Sequence, residues 1–595
     1  MSVEQLVREA VRALPPYRGL TSARPAVLLD GNENPLGASP KVLARLAELG
    51  GGHLSRYPAP QALRERWARD LKVSVDQVLL TSGSGPAIAL AAELVLNRGD
   101  SCVVAAPSFE LYAWAAERRE ARVVTVPVDA ANGFAFPTAG FRTAVEDAGV
   151  PPRLVVLGNP DNPTGAAPAL EFLERLARDH RRTLFLVDEA YAEFFGVSAI
   201  RIAVKLPNVL VSRTFSKALG LAGERIGGLI GSAPLIELLA RINVPYPITA
   251  TAAELGLAAL DDSAHVTATV KQSRRAVRRL AAGLDDLDLK NLPTRANFVL
   301  LDLGDTERAG RVTQALARRG IAIRNRSHLA GMGGWVRISA GTDREVERFL
   351  DEMRLLTADA PDAILFDMDG VLVDVRESYD ETIVRTVRSF LPPGKNPGRE
   401  SILAVKERTD ANDDHDATCI ALAKLGVKAD RKEVERRFQE IYLGTRKTPG
   451  LCRKEQWLFP LKTLEKLAKQ FPLGIVTGRT REEARMALKA GKAARFFKAV
   501  ITTDDVKKKK PEPDAVRAAL RKLGAKAAWM VGDGPADLLA AKRAGIRSVA
   551  VRGPDAGDRR EAVLREGQPI AIIGRAEEIA SVFAERDAVN EGSES

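Results

Sequence analysis

Cysteine is scarce: residues 102, 419 and 452 are the only three in 595, too few and too scattered for a disulfide framework or a zinc site. That usage fits a reducing cytoplasm. No apolar run reaches the roughly 18 residues that a membrane helix needs, so no membrane partner is expected. The N-terminal stretch MSVEQLVREAVRAL carries acids in a helical pattern and is no signal peptide. There is no internal repeat. Acid is in the minority, with 77 Asp and Glu against 88 Lys and Arg, for a formal net charge of +11. The basic surplus is not concentrated, however. In ALRERWARDL and ERRFQEIYLGTRK arginines are interspersed with acids, as on solvated helical faces. Only KKKK at 507–510 is dense, and its last member has another use below. No nucleic-acid partner is expected, and the positive field would instead attract phosphorylated small molecules.

What is present reads as an ordinary globular composition, 45% apolar and 28% charged, in a chain too long for one core. From about residue 60 to 230, short β-rich runs alternate with helical patterns: QVLLTSG, SCVVAAP, ARVVTVPV, RLVVLGNP, TLFLVDEA, VLVSRT and IGGLIG. Such alternation predicts a wound, mostly parallel sheet. A helical stretch, then ANFVLLDL, IAIRNR and WVRISAG with a closing helix, predicts a smaller α+β domain. Residues 1–357 form the first module and 358–362 a linker of small and polar residues. Alternation then restarts in 363–585 with AILFDMDG, LGIVTGRT, AVITTDD, AWMVGDG, SVAVRG and IAIIG. Residues 376–470 are mostly helical and too long for a loop, so they read as an inserted domain. Residues 586–595 read as a frayed tail.

Chemistry collects at the strand ends, where ligands sit in open α/β sheets. In SRTFSKALGLAGERIGG, Lys217 follows a strand and Arg225 comes eight residues later; GNPDNPTG and VDEAYAEF also follow strands. Pyridoxal 5′-phosphate needs this set. It requires a lysine amine to bond its aldehyde. A carboxylate must pair with its ring nitrogen, and donors must hold its ring oxygen. A helix N-terminus and an arginine must hold its phosphate. Lys217, Asp188, Asn162 with Tyr191, and Ser216 with Arg225 fill those roles. TSGSGPAI supplies Gly83, Ser84 and Gly85 as a backbone nest, and Tyr112 is placed to stack on the ring.

With these motifs in order, residues 1–357 resemble the fold-type I aminotransferases, most of all histidinol-phosphate aminotransferase. LPPYRGL, LLDGNENPLGASP, SRYP, NPDNPTG, VDEAY, SKALGLAGERIG, VPYPI, ANFVLL, IRNR and VRISAGT carry the likeness. The resemblance implies a homodimer in which Tyr57 reaches the cofactor phosphate of the neighbouring subunit. It implies that Arg337 grips the substrate carboxylate, whose geometry a planar guanidinium matches. Arg324 would face the other anionic end, with Tyr17 and Asn32 near the substrate. One departure is Gly85-Pro86, where relatives usually carry an Asp-Glu pair.

The second module opens on FDMDG, two carboxylates two apart at a strand end. IVTGRT adds Thr477, KKKKPEPD adds Lys510, and MVGDGPAD adds Asp533 and Asp537. Phosphoryl transfer is mostly positioning and charge neutralisation, and magnesium (Mg2+) needs only one or two carboxylates. Asp367 is the expected nucleophile, forming an aspartyl-phosphate, and Asp369 the acid and base. Asp367, Asp533, Asp537 and Asp369, the last through its carbonyl, are the expected metal set. Thr477 and Lys510 would bind phosphoryl oxygens. This region resembles the haloacid dehalogenase superfamily with an α-helical cap, as in phosphoglycolate phosphatase-like members, in which the core is Rossmann-like. In the cap, Glu377, Tyr379, Arg446 and Arg453 are candidate contacts to the alcohol.

Together the resemblances imply a bifunctional enzyme of histidine biosynthesis. It would convert imidazole-acetol phosphate and glutamate to histidinol phosphate and 2-oxoglutarate, then hydrolyse the phosphate. Two alternatives stand beside this reading: both modules acting on another phosphorylated amino compound, or a C-terminal module that only regulates.

Overall fold

The structure is a computed structural model that describes residues 6–14, 27–147, 149–407, 414–553 and 558–590. Tyr17, expected near the substrate, lies outside these residues. The chain divides into two compact units, Met1–Leu350 and Asp351–Ser595. The division falls inside the helix Asp343–Thr357, earlier than the stretch read as a linker. Asp351 shows why its last turns group with the second unit. Its buried carboxylate accepts from Arg565 at 3.0 Å and from the backbone N–H of Ile572 at 3.3 Å.

In the first unit the large domain is a seven-stranded sheet, and all seven β-rich runs supply a strand. Its order is Val78–Thr81, Gly227–Gly231, Val209–Thr214, Leu184–Asp188, Leu154–Gly158, Ser101–Ala106 and Arg122–Pro127. Only Gly227–Gly231 runs against its neighbours. The runs LVVLG and LFLVD are buried at every position, as central strands covered on both faces must be. The flanking helix Leu170–Asp179 buries Leu173, Leu176 and Ala177, three and four residues apart, against that sheet's core.

The small domain is a five-stranded sheet in the order Val27–Leu29, Ile321–Asn325, Trp335–Ser339, Phe298–Asp302 and Asn291–Pro293. The first pair is parallel and the others antiparallel. Arg324 falls directly opposite Arg337 in that register.

The second unit is built on a parallel six-stranded sheet, ordered Phe497–Ile501, Leu473–Val476, Ala363–Phe366, Ala528–Gly532, Arg547–Val551 and Ala571–Ile573. Between its first two strands in sequence lie helices Tyr379–Ser389, Arg399–Leu403, Asp414–Lys424 and Arg431–Tyr442, and then Leu461–Gln470. A two-stranded ribbon, Val373–Asp374 with Gln456–Trp457, stands at their root. The closing helix runs from Glu578 to Asn590, five residues into the stretch read as a frayed tail. Arg586 is tied there through its Nε to the Ala358 carbonyl at 2.9 Å, and Val589 is buried. Among the described residues, no helix is long and apolar enough to cross a membrane.

Candidate active sites

Four strands of the large domain end at one place. Asp188 is the last residue of its strand, Asn162 follows Leu154–Gly158, Lys217 follows Val209–Thr214, and Gly83 follows Val78–Thr81. Buried Asp188 accepts from Tyr112 Oη at 2.9 Å and from Ser212 Oγ at 3.0 Å. Burial holds its pKa above the ordinary carboxylate value, against the pull of those two donors. Tyr112 therefore orients the carboxylate through its hydroxyl.

Lys217 Nζ donates to the Gly31 carbonyl at 2.8 Å and lies 6.0 Å from the Tyr191 ring centre. Burial, with Arg337 adding like charge, lowers this amine from 10.5 to about 8. A lysine that loses its proton near neutrality is available as a nucleophile and proton carrier. Tyr191 Oη accepts from Asn32 Nδ2 at 3.0 Å, and Asn162 Oδ1 accepts from Arg337 Nη1 at 2.6 Å. Arg337 is 4% exposed and also donates to the Asp30 carbonyl.

The phosphate end of the expected cofactor has a matching cradle. Helix Ser84–Val95 starts on Gly83, whose φ of 91° is a left-handed conformation suited to glycine. A Cβ there would lie 2.8 Å from Arg225 Nη2, so the glycine lets the guanidinium lie against the turn. Arg225 Nη1 reaches Ser216 Oγ at 3.5 Å. Ser84, Gly85 and Pro86 form the first helical turn, where backbone N–H groups have no helical acceptor and a proline costs none of the helix's bonds. Anion donors at one end, Asp188 at the other and Lys217 between them fit pyridoxal 5′-phosphate. Tyr57 is 79% exposed and stacks on Tyr246 with ring centres 4.4 Å apart.

The second site lies at the strand ends of the six-stranded sheet. Carboxylate oxygens of Asp367, Asp533 and Asp537 lie within 4.8 Å of one another, a group able to hold a metal ion. Gly370 makes room for it: a Cβ at that residue would run into the Asp533 carboxylate. Asp537 is set by the start of its helix, where its Oδ2 accepts from the Gly534 N–H at 3.1 Å. Lys510 Nζ donates to Asp367 Oδ1 at 2.7 Å and also to Asp537. Burial alone would lower Lys510, but the two carboxylates outweigh it and hold the ammonium above its ordinary value. Asp367 is pushed up by burial and by Asp537, Asp369 and Asp533, which together exceed the pull of Lys510. Against the three carboxylates of this group stand Lys510, on Asp367 and Asp537, and Arg560, on Asp533 at 2.9 Å, and the negative charge left over suits a divalent cation. Thr477 is buried at the neighbouring strand end, its Oγ1 accepting from the Arg479 N–H at 3.2 Å.

Asp369 turns elsewhere. Its Oδ1 accepts from Arg479 Nη2 at 2.6 Å and Nε at 2.8 Å, so its carboxylate stands outside the metal-capable group. Arg479 also donates to Glu455 at 2.9 and 3.0 Å and lies over the Tyr379 ring, 4.9 Å from its centre. Tyr442 Oη donates to Glu455 at 2.8 Å. Sequence reasoning missed Arg479, Glu455 and Tyr442. A charged residue two places after Thr477, at a strand end, was the available signal for the first; the other two carry none. Of the cap candidates, Tyr379 belongs to this network. Glu377 faces Lys454 at 3.4 Å, and neither Arg446 nor Arg453 has a side-chain bond here among the described residues.

Comparison with known proteins matches residues 24–353 to the family "Aminotransferase class I and II". The chain belongs to that family. Residues 364–551 match the "Haloacid dehalogenase-like hydrolase" family, so the aminotransferase is followed by a hydrolase-type domain. Histidinol-phosphate aminotransferase 1 of Thiobacillus denitrificans is 35% identical over 370 residues, which are 59% of this chain and 93% of that protein. The enzyme of Symbiobacterium thermophilum is 35% identical over 362 residues, 58% of this chain and 98% of its own. Among solved structures, histidinol-phosphate aminotransferase from Sinorhizobium meliloti in complex with pyridoxal 5′-phosphate aligns with a TM-score of 0.53 at 26% identity. It covers 57% of this chain and 94% of that one. The fold is thus that of a fold-type I aminotransferase joined to a Rossmann-like hydrolase core.

Proposed function

We propose that this aminotransferase and hydrolase catalyse consecutive steps of histidine biosynthesis: amino transfer from glutamate to imidazole-acetol phosphate, then hydrolysis of histidinol phosphate. The observation that carries the reading is the pairing itself. The relatives of the first module are named for a phosphate monoester, histidinol phosphate, and in the second module Asp367, Asp533, Asp537 and Lys510 come together at the strand ends, a set we read as suited to cleaving one.

In the first site the bound cofactor supplies an electron sink for the bond broken at the substrate's α-carbon. Lys217 Nζ moves the proton there, and Asp188 keeps the ring nitrogen charged. Asn162 and Tyr191 hold the ring oxygen, and Ser216, Arg225 and the turn at Gly83–Gly85 hold the cofactor phosphate. Arg337 orients the substrate's anionic group, with Arg324 and Asn32 beside it. Tyr57, exposed in the single chain, completes the site of a second copy in a homodimer.

In the second site Asp367 attacks phosphorus and the alcohol leaves with a proton from Asp369. Water, deprotonated by Asp369, then cleaves the aspartyl-phosphate and releases inorganic phosphate. Asp369 must exchange its Arg479 contacts for the substrate in that cycle. Asp533, Asp537 and Asp367 would hold Mg2+, which neutralises charge on the phosphoryl oxygens, while Thr477 and Lys510 bind them.

The test is phosphate release from histidinol phosphate by the purified chain with Mg2+, beside Asp367→Asn. Release that the substitution abolishes supports the reading. Turnover of a different phosphate ester alone would favour another phosphorylated amino compound, and no phosphatase turnover at all a regulatory module.

A further inference from the structure

Three guanidinium groups share one face of the small sheet, and Arg326 is the one without a role. Arg324 lies directly across from Arg337, and Arg326, two residues on, donates its backbone N–H to the Trp335 carbonyl at 3.0 Å. Side chains two apart on extended backbone point the same way. Like charges grouped on one face repel, and more strongly when buried. Arg326 is only 3% exposed. Its Nη1 donates to Glu110 Oε2 at 3.0 Å, but its Nε is buried with no hydrogen-bond partner among the described residues. Burial and Arg324 pull this guanidinium below its ordinary pKa, against Glu110.

The surroundings of Glu110 show what the arrangement serves. Glu110 is 38% exposed at its side chain, and its other oxygen faces His328 Nε2 at 3.1 Å. Glu110, His328 and Arg324 line a cavity of about 920 Å³ that extends to Tyr112 and Asp30, the residues that touch Asp188 and Arg337. Arg326 does not itself line that cavity; it stands behind Glu110, a partly exposed carboxylate of the cavity wall.

We infer that Arg326 is a substrate-binding residue that acts with Arg324 to take the phosphate of the amino substrate, Glu110 being the counter-ion it exchanges. The inference rests on the proposed function and adds the residue that sets its specificity. A carboxylate has one charge and two oxygens, which a single guanidinium fork satisfies. A phosphate monoester carries close to two charges and three acceptor oxygens, which call for a second fork. An incoming phosphate supplies the acceptor that the buried Nε lacks. Glu110 then turns to water and His328, a smaller loss for a half-exposed side chain than for a buried one.

The experiment uses the full chain loaded with cofactor and follows amino transfer to the bound cofactor by absorbance. Wild type, Arg326→Gln and Arg326→Lys are compared with histidinol phosphate, histidinol and glutamate, and with inorganic phosphate as a competitor of glutamate. Arg326→Gln should raise the KM for histidinol phosphate about 10- to 100-fold with kcat within about threefold, the size of one lost charge-assisted bond. It should weaken competition by inorganic phosphate by a similar factor, and Arg326→Lys should recover part of both. Values for glutamate and histidinol should move far less. Equal losses on every substrate in both variants would make Arg326 a packing residue and overturn the inference, as would no loss on histidinol phosphate. If wild type ignores histidinol phosphate but inorganic phosphate competes and Arg326→Gln relieves it, the proposed substrate falls while the phosphate subsite stands. If inorganic phosphate does not compete with wild type, the subsite falls.

Discussion

Lys217 shows how burial tunes a single residue. Its amine is lowered from 10.5 to about 8, chiefly by burial and next by Arg337, while Glu33 pulls the other way. In the unfolded chain the same amine keeps its ordinary value. Between those two pH values the unfolded chain binds more protons than the folded one, so wild-type stability rises with pH through that window. Well below pH 8 the folded cofactor-free chain must carry the buried charge in full. Lys217→Met removes the charge and keeps the apolar stem. The cofactor-free variant should therefore unfold at a higher temperature than wild type at pH 7. Its advantage should shrink as pH passes 8 and vanish near 10.5, with amino transfer abolished throughout. Thermal melts of both chains across that range check the sign; an advantage that grows with pH would contradict it.

At the scale of the element, the junction of strand and helix is the working part. Val78–Thr81 delivers the chain to Gly83, and helix Ser84–Val95 starts there. An alanine at Gly83 meets two costs, a positive φ of 91° and a Cβ 2.8 Å from Arg225 Nη2. Strain of that kind is worth about 1–2 kcal/mol, and the guanidinium must also shift. Gly83→Ala should weaken cofactor binding about tenfold or more while leaving the phosphatase rate of the same chain unchanged. Titration of the apo-protein with pyridoxal phosphate, followed by absorbance, measures it.

The same junctions explain what the sequence could show. Strand alternation exposed the seven- and six-stranded sheets, and residues just past their strands, such as Lys217, Asn162, Asp367 and Thr477, stood out by position. Glu455 did not. It meets Arg479 from 24 residues away and Arg479 meets Asp369 from 110, through a cap whose folding no local pattern encodes. Ser212 was hidden in a strand run, where a small polar residue reads as filler until it is seen donating to Asp188 at 3.0 Å. Arg326 was concealed by Arg324 in the same IRNR motif: spacing shows that both point one way, not that one is buried with a nitrogen unpaired among the described residues.

For the whole molecule, covalent linkage fixes the two modules at one to one, and on the proposed function it raises the effective concentration of the second site for the first site's product. That proximity is separable from chemistry by splitting the functions between chains. Lys217→Ala disables only the first site and Asp367→Asn only the second, so an equimolar mixture retains both reactions with no single chain able to do both. Fed imidazole-acetol phosphate and glutamate, Asp367→Asn alone should accumulate histidinol phosphate. The mixture should convert it to histidinol and inorganic phosphate, reaching the steady rate of wild type at matched active sites. If product leaves through bulk solvent in both cases, the lag before that steady rate should be the same for the mixture and for wild type. A lag several-fold shorter in wild type, undiminished by dilution, would mean that linkage passes the phosphate ester on before it escapes. Stopped-flow phosphate detection at two enzyme concentrations separates the outcomes. A mixture that never yields histidinol, while wild type does, would show that the two sites require one another's integrity and would remove the independence of the modules assumed above.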